Sequence, residues 1–335
     1  MIEYDFKNNA WQVVERNFPQ TRSARQKLKF LLRYAILAPS SHNTQPWRFL
    51  VSDNRITVFA NTDRWLKIAD ADQSELHISI GCAIENLLVA AEHFDYDYNV
   101  DYFPEGSYPR AIAVITLEPS SKPSSLRNRE LFYAIFKRHT NHRAYQPQPI
   151  SSAHQSRLDE CCAEEGISLY LTSDMTLRRR VDQLINRADA IQFASAAFRE
   201  ELAYWIDQGV FGIPWLVAKL SQLSVSHLEL CHWAAKKDSD VLMSAPVLGV
   251  ICSQRNDRET QVIVGRALER IYLTATALGL SIQPLSQIIE VADVRSELTQ
   301  LIPGNPTFAQ QPFRLGYAEA EREHTPRRPF EDVMM

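Results

Sequence analysis

The sequence lacks three things: an excess of charge of one sign, a long apolar run and paired cysteine spacings. Its 335 residues carry a formal net charge of −4, which argues against nucleic acid as a partner. No segment approaches the ~20 consecutive apolar residues of a membrane span, and residues 1–11 are too polar for a secretory signal. We therefore expect a cytoplasmic protein that binds neither membranes nor nucleic acid.

Cysteine and histidine spacings give no sign of a metal site or of a disulfide framework. The chain has five cysteines without C-x-x-C spacing: Cys82, Cys161, Cys162, Cys231 and Cys252. Their mostly apolar contexts favour buried, reduced thiols, and the adjacent pair 161–162 is predicted to lie in a helix. His139 and His142 lie among cations, which disfavours a divalent ion. We therefore predict no bound metal.

The length allows about two domains, and one Pro/Ser-rich stretch, EPSSKPSS at 118–125, marks a junction between them. Helical and strand patterns alternate on both sides of it. Helices are predicted over 21–38, 74–94, 130–136, 151–165, 176–198 and 259–278, and strands over 47–51, 55–60, 110–117, 167–172 and 245–252. The pattern predicts an α+β fold with antiparallel-rich sheets flanked by helices.

Two helical segments look like copies of each other. GCAIENLLVAA at 81–91 and GRALERIYLTA at 265–275 share Gly, Ala, Glu and the final Ala at an offset of 265 − 81 = 184. Two buried helices can agree by chance, but each segment is also followed by a strand pattern with a proline and an arginine. This shared order favours an internal duplication with halves 1–125 and 126–335.

The most unusual stretch, APSSHNTQPWRF at 38–49, places short uncharged polar side chains between two prolines. Turn formation explains Pro39, Ser40 and Ser41, but not Asn43 and Gln45 behind them. The stretch resembles the loop after the first long helix in the nitroreductase family of flavin mononucleotide (FMN) oxidoreductases, where it lines the flavin. The resemblance implies that these five residues bind the isoalloxazine ring, whose edge offers alternating donors and acceptors.

A basic loop follows the junction and reads FKRHTNHRAY at 136–145. It resembles the R-R-S-x-R-x-F loop that holds the FMN phosphate in nitroreductases, with one inserted residue and Thr for Ser. The resemblance implies that Arg138, Thr140 and Arg143 bind the phosphate, because a hydroxyl flanked by cations suits a dianion. His142 stands where an arginine is common, so the phosphate contact falls to either His142 or Arg143. A solvated basic face is the alternative.

A helix end near the C-terminus resembles a third family signature. ALGLSIQP at 277–284 is similar to the segment that approaches the flavin ring, which implies cofactor contacts for Gly279, Leu280 and Ser281. Gly279 also fits the glycine that commonly ends a helix, and both roles can hold at once.

The tail TPRRP at 325–329 is similar to the basic tail that also reaches the phosphate in the family. The resemblance implies a cofactor role for Arg327 and Arg328. Disorder of an exposed terminus is the alternative.

These motifs are divided between the two halves. In ordinary nitroreductases two identical chains share each flavin, whereas here the 38–49 loop occurs only in the first half and the basic loop only in the second. The resemblance is therefore to the Acg-like branch, single-chain twins with the same H-N-T-Q-P-W and P-R-R-P sequences. It implies a pseudo-dimer within one chain, possible as a monomer, with one flavin between its halves.

The aromatic-rich region of about 193–240 has no counterpart in the first half. Core packing is the default interpretation of such residues. As an insertion, the region resembles the lid that many nitroreductases place over the flavin, where aromatic side chains would form a slot for planar substrates.

Two functions follow from the resemblance. The first is an FMN-dependent NAD(P)H oxidoreductase that reduces nitroaromatics, quinones or similar planar small molecules through flavin N5. No catalytic side chain is required, because the flavin carries the electrons. The second is a protein that binds and sequesters FMN without turnover, with the lid blocking the pyridine nucleotide.

The duplication predicts the outcome of limited proteolysis. A cut within 118–125 should leave the two halves associated, because each half completes the other. Size-exclusion chromatography of the nicked protein tests this, and two halves that elute separately would contradict the duplication.

Overall fold

The computed structural model describes residues 10–106, 110–120, 126–211, 239–304, 307–321 and 323–335. The helices are α1 (Ala24–Ala35), α2 (Ser74–His93), α3 (Arg129–Ala134), α4 (Ser152–Asp159), α5 (Met175–Ala194), α6 (Ala196–Asp207), α7 (Arg258–Ala277), α8 (Gln287–Glu290), α9 (Ala292–Leu301) and α10 (Phe330–Val333). The strands are β1 (Trp47–Ser52), β2 (Arg55–Ala60), β3 (Tyr96–Tyr102), β4 (Ala111–Pro119), β5 (Ile167–Thr172), β6 (Val247–Ser253), β7 (Ser281–Pro284) and β8 (Phe308–Gly316). Within these ranges every helix is too short or too polar to cross a bilayer.

The strands form two antiparallel sheets with the same topology. Each sheet has four strands, in the orders β1-β2-β4-β3 and β5-β6-β8-β7. Both sheets have a register shift between their two central strands, and in both a long helix joins the second strand to the third. The predicted α+β class and the predicted duplication of the fold are thereby confirmed.

The two long helices, α2 and α7, cross at their matched glycines. A Cβ atom on Gly81 would lie 2.1 Å from the carbonyl oxygen of Val262, and one on Gly265 would lie 2.0 Å from that of Ile78. Both pairs of equivalent positions are separated by 184 residues (265 − 81 and 262 − 78). The contact is thus self-complementary, as at the two-fold axis of a homodimer.

One buried core extends across both halves. It includes residues of α2, such as Leu87, and of α7, such as Ile271. Residues of α2 are buried on all sides from Ser74 to Ala91. The two halves therefore share this core, and a second buried cluster, formed by residues of α5, β6, α8 and α9, lies within the second half alone.

The prediction of a helix over 151–165 is wrong at the C-terminal end. Helix α4 ends at Asp159, so Cys161 and Cys162 lie in the turn that follows it and not in a helix. The Cys161 carbonyl accepts a hydrogen bond of 3.0 Å from Arg270 Nε, so a tertiary contact takes the place of a helical one. Four cysteines are free, and Cys231 lies outside the described residues.

The helix predicted over 176–198 is two helices, α5 and α6. They meet at Ser195, whose hydroxyl accepts a hydrogen bond of 3.3 Å from Phe198 N and so caps α6. Strand β3 was not predicted, although its sequence YDYNVDY alternates; its side chains are alternately exposed and partly buried at the edge of the sheet.

The long connection of the second half lies between β5 and β6, over residues 173–246. The equivalent connection in the first half is the turn Asp53-Asn54 between β1 and β2. The predicted insertion at about 193–240 falls within this connection, and its residues 212–238 lie outside the described residues. Helix α6 contacts the first half, where the Glu201 carboxylate accepts hydrogen bonds from the amides of Ile68 and Ala69 at 3.0–3.2 Å.

The glycine crossing predicts the sign of a stability change. A Gly→Ala exchange inside a helix normally stabilises by about 1 kcal/mol. Gly81→Ala should instead lower the free energy of unfolding by about 1–3 kcal/mol or more, because backbone on the facing helix leaves no room for the methyl group. Urea denaturation measures the change. The matched variant Gly265→Ala should lose a similar amount, and a stabilised variant would contradict this packing.

Candidate functional site

The loop after α1 has an unusual backbone. His42, Asn43 and Gln45 have φ values of 48°, 51° and 53°, a left-handed region that non-glycine residues rarely adopt. Ser40 stabilises the loop: its hydroxyl accepts from Gln45 N at 2.9 Å, and its carbonyl accepts from Asn43 N at 2.8 Å. Local strain of this kind concentrates at functional sites.

The C-terminal tail is fixed against this loop. Arg327 Nη1 donates to Asn43 Oδ1 at 3.1 Å, and the Arg328 amide donates to Gln45 Oε1 at 2.8 Å. Arg327 also lies over the ring of Trp11, 4.7 Å from its centroid. The structure therefore excludes the disordered-terminus alternative for Arg327 and Arg328.

Arg138 and Arg327 converge on one carbonyl oxygen at the end of the α1 segment. Arg138 Nη2 and Arg327 Nη2 donate to Leu37 O at 3.1 and 3.0 Å. The Nε atoms of both arginines are buried and make no hydrogen bond to any described residue. Two guanidinium groups that converge in this way are the donor arrangement that proteins use to bind phosphate and carboxylate groups.

A buried carboxyl group, that of Glu269 on α7, faces Arg138 of this pair. Its Oε1 atom lies 3.7 Å from Arg138 Nε, and the side chain is completely buried. Burial raises the pKa of Glu269 to about 8, against the opposing influence of Arg138. Burial and the neighbouring Arg138 also lower the pKa of Arg327. At neutral pH the carboxyl group therefore provides little negative charge to balance the two arginines.

Two histidines complete the surroundings of the arginine pair. The rings of His139 and His324 are stacked, with centroids 4.0 Å apart. Burial and the nearby cations lower the pKa of His324 to about 3, and burial lowers that of His139. Both rings are therefore neutral at physiological pH.

Thr140 lies on the other side of Tyr272. The two hydroxyl groups are 2.8 Å apart, and Arg138 lies over the Tyr272 ring, 5.2 Å from its centroid. The neighbouring Asn141 amide donates to Ser281 Oγ at 3.3 Å, at the start of β7. The structure thus connects Thr140 and Ser281 to the arginine pair through Tyr272 and the basic loop.

Arg143 lies elsewhere. Its side chain is 43% exposed and forms ion pairs with Glu319 at 2.7 Å and Glu321 at 3.2 Å. These two carboxylates neutralise it, whereas Arg138 and Arg327 share a carbonyl. The structure therefore brings Arg327, and not Arg143, to Arg138.

Gly279 ends α7 in the expected way. With φ 72° it donates to Thr276 O at 3.1 Å, while the buried Leu280 donates to Ala275 O at 2.8 Å. This is the paired hydrogen-bond pattern of a Schellman motif. No atom of the described residues lies within 4 Å of a Cβ atom built on Gly279. The close approach of Gly279 to the flavin stays a prediction.

The remaining residues of the 38–49 loop contact protein groups. Ser41 N donates to Ser79 Oγ at 3.1 Å on α2. The side-chain Nδ2 of Asn43 donates to Val210 O at 2.6 Å and to Pro326 O at 2.9 Å. Pro39 precedes the three-ten turn Ser41–Asn43 and is partly exposed. Asn43 thus joins the loop, the tail and the end of the described part of the long connection.

Glu269 was missed as a site residue at the sequence level. A signal was present, because Glu269 is one of the identities shared by the two copied helices, and its equivalent is Glu85 (269 − 184). Glu85 forms ion pairs with Arg127, Arg266 and Arg270 at 2.7, 3.1 and 3.1 Å. Although burial opposes ionisation, these arginines lower the pKa of Glu85 to about 2. The same residue is therefore neutralised by three cations in one copy and not in the other.

No family model matches the sequence. A Mycobacterium tuberculosis protein named “Putative NAD(P)H nitroreductase” is 26% identical over 327 residues, which cover 95% of this chain and 92% of the relative. The “Putative NAD(P)H nitroreductase acg” of the same organism is 25% identical over 328 residues, 94% of this chain and 97% of the relative. The “Probable NAD(P)H nitroreductase PigM” of a Serratia species is 23% identical over 338 residues, covering 92% and 93%.

Solved structures give weaker matches. A nitroreductase with bound FMN from Bacteroides fragilis matches 59% of this chain and 95% of its own, with 18% identity and a TM-score of 0.38. A BluB-like flavoprotein from Clostridium difficile matches 62% and 98%, with 15% identity and a TM-score of 0.41. These scores are too low to support an argument about the fold. The sequence relatives, Acg among them, confirm over most of the chain the resemblance to the nitroreductases that the motifs predicted.

Proposed function

We propose that the protein is an FMN-dependent NAD(P)H oxidoreductase with one flavin site built from both halves of the chain. The observation that carries the proposal is the convergence of Arg138 and Arg327 beside the amide-rich loop at 38–49, where the buried Nε of each makes no hydrogen bond within the described part of the chain. The names of the full-length relatives support the same chemistry.

The residues present fit the two parts of FMN. Arg138 and Arg327 would hold the phosphate, because charge-assisted hydrogen bonds to a dianion are strong and their Nε donors are available. The family resemblance implies that Ser40, Ser41, Asn43, Gln45 and Thr140 contact the flavin with neutral donors and acceptors. For Asn43 and Gln45 this requires that flavin contacts replace their present hydrogen bonds to Val210 and the tail. The family resemblance also implies contacts with FMN for four further residues: Gly279, Leu280, Ser281 and Arg328. Bound FMN supplies hydride exchange at N5 between NAD(P)H and a planar acceptor such as a nitroaromatic or a quinone.

A single flavin per chain follows from the different surroundings of the two copied glutamates. Around Glu85 the three arginines are already engaged, and Arg266 and Arg270 also pair with Glu164. No spare cation is left there for a phosphate among the described ion pairs. The proposed boundary between the halves remains near 118–125, with a pseudo-dimer formed by 1–125 and 126–335.

A sequestering function is the second candidate, because the long connection touches the ring-binding loop. Val210 O accepts from the Asn43 amide at 2.6 Å, and the rings of Phe211 and His42 are 5.5 Å apart. A lid at about 193–240 would then cover the flavin. Such a cover would retain FMN while excluding the pyridine nucleotide.

Flavin titrations test the composite site. Arg138→Ala should weaken FMN by roughly ten- to hundredfold, because a lost charge-assisted contact costs about 1.5–3 kcal/mol, and should spare riboflavin, which has no phosphate. Asn43→Ala should weaken both flavins, because both share the ring. Fluorescence quenching of each flavin by apo-protein measures affinity and stoichiometry together.

Two further arginine variants separate the phosphate assignments. Arg327→Ala should behave like Arg138→Ala. Arg143→Ala should leave FMN affinity nearly unchanged if its acidic partners are its main role, and should weaken it if the family pattern applies unaltered. Two flavins per chain, or equal losses of FMN and riboflavin in Arg138→Ala, would contradict the site.

Anaerobic mixing with NADH or NADPH distinguishes the two functions. The oxidoreductase should lose its flavin absorbance with one of the nucleotides and regain it when a quinone is added. A sequestering protein should keep its colour with both nucleotides and bleach with dithionite. Protein that takes up no FMN would exclude both functions.

A further inference from the structure

We infer that Glu269 is a positioning residue that makes FMN binding depend on pH: its ionised form holds Arg138 and Arg327 and opposes the phosphate, and its neutral form releases them. This inference rests on the proposed FMN site. It adds a residue that the family motifs do not contain.

The geometry places Glu269 behind the arginine pair and away from solvent. Its side chain is completely buried on α7, with Oε1 3.7 Å from Arg138 Nε. That distance allows electrostatic attraction but is too long for a hydrogen bond. Arg138 is only 3% exposed, so the attraction acts where water screens it little.

Glu85, the equivalent of Glu269 in the first half, is a fully ion-paired glutamate at the same helix position. Glu85 has three arginine partners at 2.7–3.1 Å, and its pKa is lowered to about 2. Glu269 occupies the same place on the copied helix, with one arginine at 3.7 Å and a pKa raised to about 8. The difference lies in the surroundings, because the helix position is the same.

The charged and titratable groups that face Glu269 come from four elements. They are Arg138 of the basic loop, Arg327 of the tail, Glu85 and Cys82 of α2, and Tyr272 of α7 itself. The arginines favour ionisation of Glu269, whereas Glu85 and burial oppose it. The Cys82 thiol and the Tyr272 hydroxyl stay protonated, because burial raises the pKa of both groups.

The proton balance determines the direction of the effect. A phosphate dianion at Arg138 and Arg327 adds negative charge near Glu269 and so raises its pKa further. Below the pKa of the free protein the carboxyl group is already neutral, and FMN binds without proton exchange. Between that pKa and the higher pKa of the FMN complex, binding is accompanied by uptake of a proton from solvent, and above both pKa values FMN binds to the ionised form with lower affinity. FMN affinity should therefore fall as the pH rises through the pKa of Glu269.

The experiment compares FMN and riboflavin titrations of the full chain between about pH 7 and about pH 9, where a phosphate monoester with a second pKa of about 6 stays a dianion. Wild-type affinity for FMN should fall by about tenfold for each unit by which the phosphate raises the pKa of Glu269. Riboflavin affinity should stay constant. Glu269→Gln, which has the shape of the neutral carboxyl group, should bind FMN equally well throughout.

A matched control variant replaces a glutamate by glutamine outside the arginine pair. Glu323→Gln alters an exposed glutamate near the tail and should keep the wild-type pH dependence. Calorimetry of wild-type protein at about pH 8.5, in two buffers with different ionisation enthalpies, should show proton uptake with FMN and none with riboflavin. This measurement needs no variant, so it decides the question even if Glu269→Gln does not fold.

The outcomes separate this inference from the function on which it rests. Wild-type protein that binds no FMN at about pH 7 would overturn the proposed function, and the inference with it. FMN binding with the same pH profile in wild type and Glu269→Gln, or without proton uptake, would overturn the role of Glu269 alone.

Discussion

The close crossing of α2 and α7 is the contact on which the rest of the structure depends. At Gly81 and Gly265 the two backbones approach so closely that any side chain would collide with the facing helix. The contact is self-complementary, since residues 184 positions apart exchange roles across it. His77 and Gln261 obey the same rule, with Nδ1 and Oε1 2.9 Å apart. Two covalently joined halves therefore meet like the subunits of a symmetric dimer.

This symmetry makes the differences between the halves informative. One helical turn beyond each glycine lies a buried glutamate, Glu85 or Glu269. The two glutamates occupy equivalent helix positions, so the residues around each of them determine its charge. Arg127, which precedes α3, and two arginines of α7 surround Glu85, whereas the basic loop and the tail approach Glu269. The duplication thus provides two equivalent glutamates. Glu85 lies in an internal ion cluster, whereas the arginine near Glu269 is not tightly paired with it.

Sequence reasoning reached the motifs and the fold class because both depend on local patterns. The loop at 38–49, the basic loop and the tail are short and distinctive, and the structure brings all three together: Arg138 and Arg327 share Leu37 O, and the tail is hydrogen-bonded to the loop. Local patterns do not determine where a side chain lies in the tertiary structure. Nothing in FKRHTNHRAY distinguishes Arg138, which is buried, from Arg143, which two distant carboxylates neutralise. Just beyond the end of α4 at Asp159, the Cys161 carbonyl likewise accepts a hydrogen bond from Arg270, more than a hundred residues away.

The local costs of this structure are concentrated in one place, and that is the strongest physical reason to locate function there. Left-handed backbone at Asn43 and Gln45, unpartnered donors on two buried arginines and a carboxyl group kept neutral by burial each oppose folding. The ion cluster at Glu85 differs in that its buried carboxylate lies within 2.7–3.1 Å of three arginines. A dianion bound between the arginines would satisfy their donors and stabilise the native state by mass action. The arginine donors that destabilise the protein without a ligand are thus the same atoms that would stabilise it when an anion is bound.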